Sequence, residues 1–299
     1  MDLTRQIDVY CERVSAAFWA EPFNALTNLA FIVAGVLALM AEARRNGIGT
    51  ARTFLAGALM ASGIIAIFTH VIALLFAVGS LFFPTALVVP MFVLGGVSLV
   101  AGLLSLPRGW WWEAPDWAVT WLAGNAVVVG IGSFLFHTFA TPWAGAADTG
   151  PILLFILGYF VVSMHRYGGL GWRGAALATA GFLVGMVLLS AGLRATIGPL
   201  VGGSQSYFPA LLALLGVGFW LARARRHAAG PVLMRAAGIF AVSLTFRTID
   251  GPLCEWIPIG THFLWHLFNA LLLWVLLDCL VRHGRIGSTA PGSATPQPA

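Results

Sequence analysis

Residues 261–282 read T-H-F-L-W-H-L-F-N-A-L-L-L-W-V-L-L-D-C-L-V-R. From His262 to Leu277 no Asp, Glu, Lys or Arg interrupts the run. A helix crossing the hydrocarbon core of a bilayer needs about 20 mainly apolar residues, and this stretch supplies them. Its histidines, His262 and His266, stand at i and i+4. That spacing stacks two imidazoles on one face of the helix, one turn apart. An apolar span with two imidazoles on one face sets both the fold class and the place to look for chemistry.

The rest of the chain has the same character. Of 299 residues, 59% are hydrophobic and 9% charged, with mean hydropathy +0.89. A soluble domain carries about a quarter charged residues. The composition excludes a water-soluble globular protein, a disordered one and a nucleic-acid binder, despite a pI near 9.7. Residues 53–107 hold no Asp, Glu, Lys or Arg, which is too long for one span and suits two. The pattern predicts an all-α, polytopic bundle of nine helices. They run at about 22–43, 53–78, 82–104, 117–139, 148–165, 174–193, 208–224, 231–249 and 261–282, with ends uncertain by about 2–4 residues. One transmembrane catalytic domain covers 1–283. Residues 284–299, rich in Gly, Ser, Thr, Ala and Pro, read as a disordered tail. Met1–Ala20 lacks the apolar core of a cleavable signal peptide.

All 16 basic residues are Arg. With the N-terminus outside, 12 of them face the cytoplasm with four acids, Glu42, Glu113, Asp116 and Asp278. The other face keeps four Arg and seven acids. The positive-inside rule therefore predicts an outer N-terminus and a cytoplasmic C-terminus, with Trp110, Trp111 and Trp112 anchoring at the inner interface. The Lys-free composition points to a bacterial inner membrane. Three cysteines exclude a disulfide framework but allow one pair. Cys11 and Cys254 both face outside, where an oxidising compartment permits a bond. Cys279 reads as a packing residue.

Ionisable residues inside a membrane are costly and are functional candidates. Ser133 and His137 form an i, i+4 pair near the outer end of the fourth helix. Asp148 follows a short loop, Thr141 to Ala147, and opens the fifth. Arg247 and Asp250 end the eighth. The predicted topology brings all of these to the leaflet of His262 and His266. His137 offers a third imidazole, and three protein nitrogens plus a water make a catalytic zinc site. The metalloprotease pattern H-E-x-x-H does not apply, because Phe263 follows the first His. Plainer roles stand beside these: Asp148 as a helix cap, Asp250 paired with Arg247, His70 as a packing residue, and His165, His227 and His283 as solvated loop residues. Before the first span lie Asp8, Glu12 and Glu21. They serve as helix-start charges or, with Asn24 and Asn28 nearby, as hard oxygen ligands for calcium. Asn24 and Asn28 could also brace neighbouring helices.

Assembled, these pieces resemble the alkaline ceramidase family, part of a wider group of seven-helix zinc membrane hydrolases that includes the adiponectin-receptor type. The matching stretches are D-V-Y-C-E at 8–12, E-P-F-N-A-L-T-N at 21–28, G-S-F-L-F-H at 132–137, Asp148, D-G-P-L-C at 250–254 and H-F-L-W-H at 262–266. The resemblance implies Zn²⁺ on His137, His262 and His266, with Ser133 and Asp148 acting on water and substrate. It also implies Ca²⁺ on Asp8, Glu12 and Glu21. Val14 stands where the family pattern has an Asn, and the gap from Glu12 to Glu21 is shorter than usual. The 112 residues from Glu21 to Ser133 leave room for an extra helix pair at about 53–104 beside a seven-helix core. The expected function is zinc-dependent hydrolysis of the amide bond of a ceramide-like membrane lipid, releasing a fatty acid and a sphingoid base. The alternatives are a non-enzymatic receptor or structural protein with a stabilising zinc, and an ion or proton carrier. A carrier needs ionisable residues at several depths, and the inner half of this bundle offers few beyond helix-end charges.

Overall fold

The computed structural model of the chain describes residues 2–45 and 116–284, with isolated helical positions between 93 and 101. The expected spans at 53–78 and 82–104, His70, Trp110–Trp112 and the tail after Gly284 otherwise lie outside the described residues. Among those described there is no strand, and seven helices are long and apolar enough to cross a membrane. They are α1 (Pro22–Arg45, pausing at Asn28), α2 (Trp117–Phe139), α3 (Pro142–Arg166), α4 (Trp172–Thr196), α5 (Ser204–Arg223, opening with a 3₁₀ turn), α6 (Ala229–Leu253) and α7 (His262–His283). Each packs on the next in sequence, and α7 closes on α1.

Local chemistry sets the helix ends. Asp116 caps α2 by accepting from the N–H groups of Ala118 and Val119, at 3.0 and 3.3 Å. Its carboxylate also receives Arg166 from the end of α3, so these two ends lie together. Pro22 and Pro142 begin α1 and α3, where a missing N–H is harmless. The segment Thr141–Ala147, expected as a loop, is therefore helical from Pro142 on, with Thr141 as its extended N-cap. Asp148 sits well inside α3 and caps nothing. Gly145, Gly150 and Pro151 all lie within this helix. Pro151 cannot donate to the carbonyl of Ala147 four residues earlier.

That carbonyl is where α2 comes closest. A Cβ built on Gly132 would lie 2.0 Å from the oxygen of Ala147, so only glycine fits. Between membrane helices association comes from close packing rather than from the hydrophobic effect. Accordingly, α2 buries a row of small residues, Ala118, Ala123, Ala126, Gly130 and Gly132. The interior is filled by Phe31, Leu122, Phe155, Tyr159, Leu233, Phe240, Trp265 and Leu277. By contrast, α4 buries only Ala175 and forms the rim of the bundle.

Candidate metal centre

The site is built at the end of the bundle where α2 and α6 finish and α1, α3, α5 and α7 begin. His137 comes from the last turn of α2; His262 and His266 come from the first two turns of α7. Ring centroids are 5.2 Å apart for His137–His262, and 4.7 Å for His137–His266 and for His262–His266. One nitrogen from each lies within 4.8 Å of the others. All three side chains are buried.

Hydrogen bonding shows which nitrogens remain free. His137 Nδ1 donates to Glu21 Oε2 at 2.6 Å. Thr27 Oγ1 gives its hydrogen to the α1 backbone, so it accepts from His266 Nδ1 at 2.9 Å. These bonds leave His137 Nε2 and His266 Nε2 without partners, and His262 Nδ1 also has none. A buried polar atom left unpaired costs about 1–3 kcal/mol. Three buried imidazoles, each offering a nitrogen within 4.8 Å of the others, are what a metal ion needs. Metal-ligating imidazoles usually donate their second nitrogen to a carboxylate or oxygen acceptor, as His137 and His266 do here. Neutral nitrogen ligands, three in number, suit zinc.

Asp250 fixes the start of α7. Its Oδ1 accepts from the N–H groups of Thr261 (2.6 Å) and His262 (2.9 Å), and its Oδ2 from Cys11 (3.1 Å). Gly260, at φ +66°, makes room, because a Cβ there would collide with Asp250 Oδ1. Asp250 is thus committed to backbone. Arg247 turns instead to Gly202 and Ser204 and lies over the rings of Tyr207 and Trp265.

The N-terminal segment is a strap across this end. Ile7 N–H bonds the carbonyl of Ala140 at 2.7 Å, Cys11 is disulfide-bonded to Cys254, and Tyr10 stacks on His262 at 3.7 Å. Burial pushes the Tyr10 phenol above its ordinary range, so it stays a neutral ring. Glu12 accepts from the N–H groups of Phe23 and Asn24 at the start of α1. Burial raises its carboxyl against those two bonds. Burial would also raise Glu21, but hydrogen bonds from His137, Arg13 and Asn24 outweigh it and hold that carboxyl below its usual value. Asp8 is exposed. Among the described residues these three carboxylates do not form a group close enough to share an ion.

Ser133 and Asp148 face each other beside the histidines, and Asp148 Oδ1 is buried without a partner. Both line, with His266, one elongated cavity. Its other walls are apolar: Phe31, Phe155, Phe240, Trp265 and Leu273 among them. Along α3 it runs from Asp148 to Ser163, about 22 Å at 1.5 Å per residue.

Two further histidines among the described residues have local roles. His165 bonds the carbonyl of Leu170 and stacks on Trp172; His227 accepts from Ala229 N–H. Asn24 and Asn28 bond within their own segment, to Glu21 and to the carbonyl of Asn24, rather than bracing other helices. Sequence reasoning overlooked Arg13, Tyr10 and Thr27. A lone Arg among three acids on the acid-rich face was the available signal for the first.

Comparison with family models, with curated proteins and with solved structures returns no match.

Proposed function

We propose that this chain is a metal-dependent hydrolase that works within the membrane. More particularly, we propose a zinc amidase acting on ceramide-like lipids. The observation that carries the first step is the set of three buried imidazoles with unpartnered nitrogens, one of which, His266, lines an apolar cavity together with Ser133 and Asp148. The second step rests on the resemblance of the site stretches to the alkaline ceramidases and on the cavity's length, which suits a long acyl chain.

His137, His262 and His266 would hold the ion. Zinc, when bound, supplies a Lewis acid for the amide carbonyl and makes a water nucleophilic near neutral pH. Asp148 accepts the proton that this water gives up as its oxygen bonds to the carbonyl carbon. It returns that proton to the amine nitrogen as the C–N bond breaks. Ser133 donates a hydrogen bond to the carbonyl oxygen while negative charge builds there. The apolar walls hold the acyl chain and keep bulk water away, which strengthens these interactions. The products are a fatty acid and a sphingoid base. On the arginine distribution the site faces the outer side of a bacterial inner membrane.

The test is metal analysis of purified protein together with fatty-acid release from ceramide. The reading expects bound zinc in the parent. His262→Ala should lose both zinc and turnover, and Asp148→Asn should keep zinc and lose turnover. Zinc-loaded parent protein that hydrolyses no lipid amide would instead favour a receptor or structural role.

A further inference from the structure

We propose that Arg13 is a resident cation in the N-terminal acidic cluster, standing where the family resemblance puts calcium, and that through Glu21 it positions the metal ligand His137. The described residues would then hold one metal ion, at the histidines, and no calcium.

Calcium takes six to eight oxygen ligands. The oxygens near Glu21 are already engaged. Glu21 Oε1 accepts from Arg13 Nε at 2.5 Å, and Oε2 accepts from His137 Nδ1 at 2.6 Å and Asn24 Nδ2 at 3.1 Å. Both oxygens of Glu12 accept from backbone N–H groups of α1, at 2.7 and 2.8 Å. Asp8 is exposed and outside the cluster. Asn24 Oδ1 lies buried and unpartnered beside Glu21, one oxygen where a calcium shell needs several. Val14 brings an apolar side chain, 88% exposed, where the family has an Asn.

Arg13 lies in this space. Its side chain is 2% exposed and its charge is matched by Glu21. Beyond that ion pair, Nη1 donates to the carbonyl of Ser15 at 3.1 Å and Nη2 to the carbonyl of His137 at 2.9 Å. A buried ion pair is favourable only when geometry is good and the remaining donors are satisfied; Arg13 meets both conditions. Guanidinium has the fixed fork of donors that this needs, and lysine does not.

The consequence for the metal centre follows from the hydrogen bonds. Glu21 holds the proton of His137 on Nδ1 and so turns the lone pair of Nε2 toward His262 and His266. Arg13 holds Glu21 in that position and also grips the backbone of His137 itself. The ligand is thus fixed at its ring and at its carbonyl by one carboxylate–guanidinium pair. Replacing such supporting partners typically costs 10–100-fold in metal affinity.

The inference rests on the three-histidine reading of the metal centre but not on the amide reaction. It is tested on the full-length detergent-solubilised protein by metal analysis, zinc competition with a chromophoric chelator, and thermal unfolding in CaCl₂ against EGTA. The expected parent binds zinc, retains no calcium, and unfolds at the same temperature with either addition. Arg13→Gln should weaken zinc binding by about 10–100-fold, with Arg13→Lys intermediate. Calcium retained by the parent, or a calcium-dependent rise in its unfolding temperature, overturns the proposal even if Arg13→Gln fails to fold. Parent zinc affinity in Arg13→Gln overturns the positioning role. Zinc-bound, calcium-free protein without lipid turnover would sink the amidase reading and leave this one standing.

Discussion

Replacing Gly132 with Ala should push α2 and α3 apart at the place where Ser133 meets Asp148. The added Cβ would lie 2.0 Å from the oxygen of Ala147, 2.7 Å from its carbonyl carbon and 3.2 Å from the nitrogen of Asp148. All three are backbone atoms, so no side-chain rotation relieves the clash. Real Cβ contacts do not fall below 3.0 Å, so the helices must separate by about 1 Å, the order of misplacement that costs up to about 100-fold in rate. Overfilling of this kind costs about 1–3 kcal/mol. At about 2–4 °C per kcal/mol for a chain of this size class, the unfolding temperature falls by about 2–12 °C. The opposing gain in helix propensity from Gly to Ala is at most about 1 kcal/mol. Gly181→Ala isolates that gain, since its Cβ meets nothing within 4 Å. Thermal unfolding in detergent, paired with lipid-amide hydrolysis, gives both readouts. If Gly132→Ala unfolds no lower than Gly181→Ala and keeps parent turnover, the close α2–α3 contact does not set the site.

Two further outcomes follow from the polar anchors at opposite ends of the bundle. Asp250→Asn keeps the shape but turns an amide N–H₂ toward one of the three N–H groups that Asp250 accepts; an unmatched buried donor should cost about 1–3 kcal/mol and loosen zinc through His262, both measurable by unfolding and metal competition. Asp116 is half-buried; burial raises its carboxyl, but the Arg166 hydrogen bonds and charge outweigh this and lower it. Its folded value lies below its unfolded one, so its stabilisation is present above about pH 3.9 and is lost as pH falls further, through the lowered folded value. The gap in unfolding temperature between parent and Asp116→Asn should therefore be widest near neutral pH and close in acid, and a gap that stays constant with pH would contradict the pairing.

Much of this was open to inspection in the one-dimensional pattern. Apolar runs of span length located α1 to α7 within a few residues, because a bilayer leaves no other way to satisfy so much backbone. The i, i+4 spacing of His262 and His266 placed two imidazoles on one face before any tertiary contact was known. The start of α3 was placed at Asp148 rather than at Pro142, because the packing of Ala147 on Gly132 is invisible in the sequence. The plainer reading of Asp250, a partner for Arg247, came from proximity in sequence. In space its carboxylate is taken by the start of α7 and by the N-terminal strap.

Periodicity and hydropathy by themselves determined that the chain is a helical membrane bundle and that His137, His262 and His266 fall toward one end of it. Those are one-dimensional properties, set by the solvent each residue must face. Only the tertiary structure decided which nitrogen of each imidazole is left unpartnered, and that Arg13 rather than an open carboxylate cage stands beside Glu21. These depend on side chains separated by 124 residues, Arg13 and the His137 carbonyl, and by 239, Thr27 and His266. No local pattern encodes such pairings; they arise when α7 closes against α1 and the strap is pinned across the bundle by Cys11 and Cys254.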